Sequence, residues 1–298
     1  MPEGDTLFRT AATLTRAIGG KRVTAFSSQL PEVERFAKEI VGGLIPKVEA
    51  RGKYLLLHFE SGAALLTHMK MSGSWHVYRP GERWQKSPRA ARVVVETPDF
   101  LAVCFAAPVV EMIPKGRVDS HPALSRLGPD VLTEAFDADE ARARIREHAD
   151  ATIAEALLMQ SSLAGIGNVY KSEALFLCRV DPFVLVGSLA DATLDRLIST
   201  ARELMKDNLE GGPRVTTRAG IGAMRRAASG PRPFLPLRAP RYFVYDRAGD
   251  PCLVCGAKIE STRSSRREPS HASAEAARIT YYCPLCQPPG AAGDTAGG

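Results

Sequence analysis

The sequence has no apolar run approaching the ~18 residues that a membrane-spanning helix needs. It also lacks the opening of a secretory signal: Glu3 and Asp5 come early, and no continuous apolar core follows them. These two absences argue against a membrane protein and predict a cytoplasmic one. No internal repeat is present, so the chain is not a repeat array. Acids are scarce toward the end. From residue 211 onward there are 13 Lys or Arg against 6 Asp or Glu, enough to account for the whole net charge of +6. A basic last third fits either an anionic partner such as nucleic acid or a solvated tail.

What is there is ordinary for a folded chain, with 45% hydrophobic and 24% charged residues over 298 positions. That length allows two domains, or one large domain with an appendage. Of the six cysteines, Cys104 and Cys178 stand alone in apolar stretches and read as core thiols. The other four form two CxxC pairs, Cys252/Cys255 and Cys283/Cys286, and in a cytoplasmic chain that pattern favours metal over disulfides. Each CxxC sets two thiolates on one tight turn, so the four predict one structural Zn2+; four cysteines leave no open position for catalysis. The pairs are separated by 27 residues, and the polar, basic segment STRSSRREPSHASAEAA reads as a loop inserted in a hairpin.

Along the chain, residues 5–19 read as an amphipathic helix, with Asp5 or Thr6 as its N-cap and Gly19-Gly20 as its stop. Strand signals follow to about residue 115: YLLLHF, ALLTHM, SWHVY, RVVVETP and LAVCF are short, β-branched or aromatic, and divided by Gly, Pro and Ser. After RLGPDVL the period becomes helical over 133–148, 151–160, 168–178 and 188–209. Residues 211–240, rich in Gly, Arg and Pro, predict a long mobile loop; a β-rich zinc module follows at 241–287. The fold class is therefore α+β and multidomain. It comprises an N-terminal β-sandwich or barrel domain (2–130), a helical domain (131–240), a zinc finger (241–287) and a disordered tail (288–298).

Several stretches carry chemistry under one reading and plain structure under another. Pro2 either starts the chain extended or, once Met1 is removed, supplies a secondary amine. An α-amino group titrates near 8 against ~10.4 for lysine, which makes a terminal amine the readier nucleophile at neutral pH. In RGKYLLLHF, Lys53 is either a solvated strand-end lysine or an anion contact. In THMKMSGSW, Met71 is either a core methionine or an exposed wedge of the kind that enters kinked duplexes. In QSSLAGIGNVYKSEALF, the turn before Asn168 is either a routine helix connection or a phosphate site built on helix-start N–H groups.

Taken in order, Pro2-Glu3, RGKYLLL, HMKMSGSW, RLGPDVL, LAGIGNVY…EALF, and YDRAGDPCLVCG with RITYYCPLCQ resemble one family over residues 2 to about 287. This is the formamidopyrimidine-DNA glycosylase and endonuclease VIII family of bifunctional DNA glycosylase/AP lyases. The resemblance implies a β-sandwich with a flanking helix, a helix-two-turn-helix domain and a C-terminal β-hairpin zinc finger. Pro2 would attack C1′ of the damaged nucleotide and Glu3 would act as the acid. Lys53 would contact phosphate and move a proton during elimination, and Arg278 would bind phosphate and promote the second elimination. Lys70, Met71, Arg126, Gly167, Asn168 and Tyr170 would contact DNA, with Met71 filling the gap left by a flipped nucleotide. The implied partner is damaged DNA, double- or single-stranded, met by a monomer associated with the nucleoid.

Two departures stand out. Members often begin P-E-x-P-E, whereas here residues 5 and 6 are Asp and Thr, and the inserted zinc-finger loop makes Arg278 a looser match. The PEGDT start and the GSW turn lean toward the endonuclease VIII branch and oxidised pyrimidines, with 8-oxoguanine preference as the alternative. A zinc-finger DNA-binding protein without catalysis, or a helix-two-turn-helix component of a nucleoprotein assembly, would not need the terminal Pro-Glu pair.

Overall fold

A computed structural model describes residues 2–217, 240–263 and 279–293, and the chain splits into two compact units, Met1–Arg126 and Leu127–Gly298. In the first unit, helix α1 (Gly4–Ile18) buries Leu7, Ala11, Leu14 and Ile18, the apolar stripe that its sequence period predicts. Eight strands follow: β1 (Ala25–Ser28), β2 (Lys47–Arg51), β3 (Tyr54–His58), β4 (Ala64–His68), β5 (Ser74–Tyr78), β6 (Ala91–Glu96), β7 (Leu101–Phe105) and β8 (Val109–Ile113). Two one-turn helices, α2 (Pro31–Glu34) and α3 (Ala37–Ile40), lie between β1 and β2.

The strands form two antiparallel four-stranded sheets, ordered β1-β6-β7-β5 and β2-β3-β4-β8. One core serves both sheets. Phe26, Val93, Val95, Ala102 and Cys104 of the first pack with Val48, Leu55, Leu57, Leu65 and Met112 of the second, and the α1 stripe joins them. Alternation explains the other face of the first sheet, where Val103 and Phe105 turn outward onto Tyr78 and Trp84. The Trp75 indole N–H donates to Thr67 Oγ1 at 3.1 Å, tying β5 of one sheet to β4 of the other.

In the second unit the helices are α4 (Ala138–Arg146), α5 (Ile153–Ala156), α6 (Asn168–Leu177) and α7 (Asp191–Lys206). Strands β9 (Glu260–Arg263) and β10 (Ile279–Tyr282) pair antiparallel. Each helix is shorter than its periodic stretch, and the caps say why. Asp137 accepts from Glu140 N at 3.0 Å and starts α4 late, while Thr152 and Glu155 close a capping box on α5. Beyond α5, Gln160 bonds the backbone of Leu158, Ile166 and Gly165, so its side chain shapes a turn instead of extending the helix.

Three expectations need correction. The N-cap of α1 is Glu3, not Asp5 or Thr6, because Thr6 N and Leu7 N already donate to Glu3 O at 2.9 and 3.2 Å. Residues 288–293 are ordered: Asp181 N donates to Ala291 O, Gly290 N to Asp181 Oδ2 and Thr193 Oγ1 to Ala292 O, which leaves that backbone paired. Strands β1, β2 and β8 escaped the sequence reading, being short and only partly apolar. Most of the loop expected over 211–240, the inserted segment 264–278 and residues 294–298 lie outside the described residues.

Gly73 is the residue on which the passage from β4 to β5 turns. A Cβ there would meet Met69 Cα at 2.8 Å and Ala107 Cα at 2.9 Å, both backbone atoms that cannot move aside cheaply. Gly73→Ala is expected to cost about 1–3 kcal/mol by overpacking. The check is urea unfolding followed by tryptophan fluorescence; an unchanged midpoint would contradict the close approach.

Candidate active site and nucleic-acid interface

The first residues of the chain are held by the start of α1. Pro2 is half-buried, and Glu3 is extended (φ −123°, ψ −178°) and wholly inaccessible to solvent. An acidic N-cap ordinarily spends its carboxylate on the first helical N–H groups. Glu3 makes no such bond, so its carboxyl is buried without serving as a cap. Asp5 is also buried, in the first turn, where the helix dipole favours negative charge, and Thr6 donates to it at 3.3 Å.

Helix α1 packs on β2, the strand that leads into the Lys53 turn. Arg51 pairs with Tyr54 across a two-residue connection, Gly52-Lys53, and Gly52 takes the left-handed φ of 57° that the first position of such a hairpin turn uses. Lys53 is only 4% exposed, which rules out the solvated strand-end reading. The base of this hairpin is fixed by charge. Arg51 bonds Glu49 and Asp119 at 3.0–3.1 Å, and Glu49 also meets Lys47 and His58. Burial alone would raise the Glu49 pKa, but hydrogen bonds from His58 and Lys47 and the Arg51 charge outweigh it and bring it to about 2.

Between β4 and β5 the chain makes a tight turn that presents one apolar side chain. Met69 is buried, whereas Met71 is 77% exposed, so the core-methionine reading fails for Met71. Lys70 is exposed with φ 44°, a conformation that costs a side-chain-bearing residue energy. Its N–H donates to His68 Nδ1 at 3.0 Å, Gly73 N donates to Met69 O at 2.8 Å, and Ser72 Oγ donates to Ala106 O at 3.0 Å. Arg126, the last residue of the first unit, is exposed.

In the second unit, Gly167 caps α6 from an extended conformation and Asn168 is its first residue. The Asn168 Nδ2 group donates to Ile279 O at 2.8 Å, and its Oδ1 accepts from Lys171 Nζ at 2.7 Å. Tyr170 is wholly buried under the Arg214 guanidinium, 5.0 Å from the ring centre. A ring with no exposed area supports the helix from inside. Glu173, two residues past Lys171, is also fully buried. It accepts from Phe243 N, Val244 N and Tyr245 N at 2.8–2.9 Å and from Thr216 Oγ1. Burial raises its pKa, and the hydrogen bonds from Thr216 and from the three backbone N–H groups oppose that rise only in part. Sequence reasoning missed Lys171 and Glu173 as buried charges. The signal was present in YKSEALF, where two charges sit inside a helix otherwise made of apolar and small residues.

The four cysteines of the CxxC pairs converge, with all sulfur atoms within 4.8 Å of one another. Cys252 and Cys286 are 3.9 Å apart, and Cys255 and Cys283 are 3.4 Å apart. Four thiolates at ~2.3 Å from a tetrahedral ion would be separated by about 3.8 Å, so the cluster fits a metal. Two turns shape it: Cys252 N donates to Ala257 O, and Cys283 exchanges bonds with both the backbone and the side chain of Gln287. The cluster shares a small core with Phe176 of α6, Val244 and Ile259. Arg278 lies outside the described residues.

Together these features define a class: an α+β protein with a buried N-terminal acid, an exposed methionine turn and a four-cysteine module. Residues 1–108 match the formamidopyrimidine-DNA glycosylase N-terminal domain, and residues 127–219 match the formamidopyrimidine-DNA glycosylase H2TH domain. The chain is 35% identical to the probable endonuclease 8 2 of Streptomyces coelicolor, over 96% of this chain and 94% of that protein. It is 32% identical to the DNA-(apurinic or apyrimidinic site) lyase Nei2 of Mycolicibacterium smegmatis, over 96% and 99%. Among solved structures, formamidopyrimidine-DNA glycosylase of Lactococcus lactis bound to DNA containing an AP site superposes with a TM-score of 0.74. The identity there is 22%, over 96% of this chain and 99% of that one, a likeness of fold. The chain belongs to the formamidopyrimidine-DNA glycosylase and endonuclease VIII family of base-excision-repair glycosylase/AP lyases.

Glu173 supplies a test of how α6 holds the segment that enters the cysteine module. Glu173→Ala strips partners from the backbone N–H groups of Phe243, Val244 and Tyr245, and each donor left unmatched costs about 1–3 kcal/mol. Amide hydrogen exchange of residues 243–245 is expected to accelerate by at least about a hundredfold. Wild-type protection at those amides would contradict the assignment.

Proposed function

We propose that this chain excises oxidised pyrimidines from damaged DNA through a covalent bond to Pro2 and then cleaves the strand at the resulting abasic site. The observation that carries the reading is Glu3, a fully buried carboxyl directly behind Pro2 that its helix leaves out of capping. Removal of Met1 exposes the Pro2 amine. Its nitrogen lone pair attacks C1′ of an extruded nucleotide, and Glu3 donates a proton to the sugar ring oxygen. The ring opens, the base departs, and an iminium joins Pro2 to C1′. The iminium makes the C2′ proton acidic. Its loss expels the 3′ phosphate, and a second elimination expels the 5′ phosphate before water releases Pro2.

Lys53, kept from solvent on its hairpin turn, is assigned phosphate binding and proton transfer in the elimination. Arg278 is assigned to the second elimination from its place five residues before Cys283. Met71 fills the gap left by the extruded nucleotide; its exposure on a turn that strains Lys70 supports that role. Lys70, Arg126, Gly167 and Asn168 bind the DNA backbone. The names of the relatives, endonuclease 8 among them, support the endonuclease VIII branch, and the pyrimidine preference follows from that branch's resemblance.

The four cysteines would hold one Zn2+, which is structural because thiolates take every position. The same reading assigns 2–130 to catalysis, 131–240 to DNA binding and 241–287 to the zinc finger. The protein would act as a cytoplasmic monomer on chromosomal DNA, double- or single-stranded.

Single-turnover assays on duplexes carrying one oxidised pyrimidine, one 8-oxoguanine or one abasic site test the proposal. Wild type is expected to excise the pyrimidine at least about tenfold faster than the purine. Glu3→Gln is expected to lose base excision by about a hundredfold or more while keeping most abasic-site cleavage. Equal excision by Glu3→Gln and wild type would overturn the acid role, and faster 8-oxoguanine release would overturn the lesion preference.

A further inference from the structure

We propose that Lys171 is a positioning residue that fixes which way the Asn168 amide faces, and thereby sets the donor that Asn168 offers to a DNA phosphate. The proposal rests on the reading of Asn168 as a backbone contact and adds a residue to it. Lys171 is fully buried, three residues past Asn168 on the same face of α6, and its ammonium lies 2.7 Å from Asn168 Oδ1. It also donates to Thr280 Oγ1 at 2.8 Å and approaches Ile279 O at 3.5 Å.

The orientation of the amide is determined twice over. An ammonium only donates, so the oxygen of the amide must face Lys171; the Ile279 carbonyl only accepts, so the nitrogen must face β10. One of the two N–H groups on Nδ2 goes to Ile279 O at 2.8 Å. The other has no partner among the described residues, and Asn168 retains 7% exposure at the first position of the helix. Without a donor at position 171, Oδ1 would be buried and unmatched, and the amide would turn to find another partner. Lys171 thus acts through Asn168, not on DNA.

The test measures affinity for a duplex carrying a stable abasic-site analogue, over a series of salt concentrations. It uses the full chain and the variants Asn168→Ala, Lys171→Met, Lys171→Gln and the Asn168→Ala/Lys171→Met double. Each is checked for thermal unfolding and metal content. Asn168→Ala and Lys171→Met are each expected to weaken binding about tenfold, the worth of one hydrogen bond to a charged group. The double variant should be no weaker than either single one. The salt slope should stay at the wild-type value, because a buried positioning charge releases no counterion. Lys171→Gln keeps a donor for Oδ1 and is expected to hold affinity within about threefold; it decides the matter if Lys171→Met does not fold.

Wild-type affinity for Lys171→Met beside a weakened Asn168→Ala would overturn the proposal while leaving the Asn168 reading intact. Additive losses in the double variant, or a salt slope reduced by nearly one in Lys171→Met or Lys171→Gln, would make Lys171 a charge acting by itself and also overturn it. An Asn168→Ala variant that binds as wild type would remove the underlying reading.

Discussion

Burying an ionisable side chain costs several kcal/mol unless dipoles or an opposite charge replace the lost water. This chain meets that cost where its candidate chemistry lies. Glu3, Asp5 and Lys53 are buried in the first unit, and Lys171 and Glu173 in the second. Each forces its surroundings into one arrangement. Glu173 holds the backbone of 243–245 and Thr216, and Lys171 holds Asn168 and β10. One ten-residue helix therefore organises both the entry to the cysteine module and its second strand. A metal in that module would work on a scaffold already tied to α6 by these bonds and by the Phe176–Phe243 stack, whose rings are 5.3 Å apart.

Much of this was legible in the sequence because it rests on period and spacing. The α1 stripe, five of the strands and the two CxxC turns follow from local rules that tertiary context does not override. The rest depends on contacts distant in the chain. Strands such as AFSS and KVEAR gain their state from pairing with Val93–Glu96 and Tyr54–His58, not from their own composition. The helices are cut short by side chains that bond turns, as Gln160 does, and residues 290–292 are held by Asp181 and Thr193 from far upstream. Among candidate site residues, composition could name Lys53 and Met71. Only the fold shows that the lysine is buried and the methionine is not.

The departure at residues 5 and 6 takes on a physical meaning. Where relatives of this family often carry Pro and Glu, this chain puts a buried acid in the first turn of α1 with a hydroxyl bonded to it. A carboxylate is thus kept near the helix start, moved by one position and shortened by one methylene.

The central claim is that the terminal amine of Pro2 is the nucleophile. Its most direct test is borohydride reduction during reaction with abasic-site duplex, followed by peptide mapping of the adduct. The Met1-processed chain should be compared with a chain whose Met1 is retained. A stable adduct on Pro2 in the processed chain, and none in the other, is the predicted result. An adduct on a lysine, or equal trapping by both chains, would contradict it.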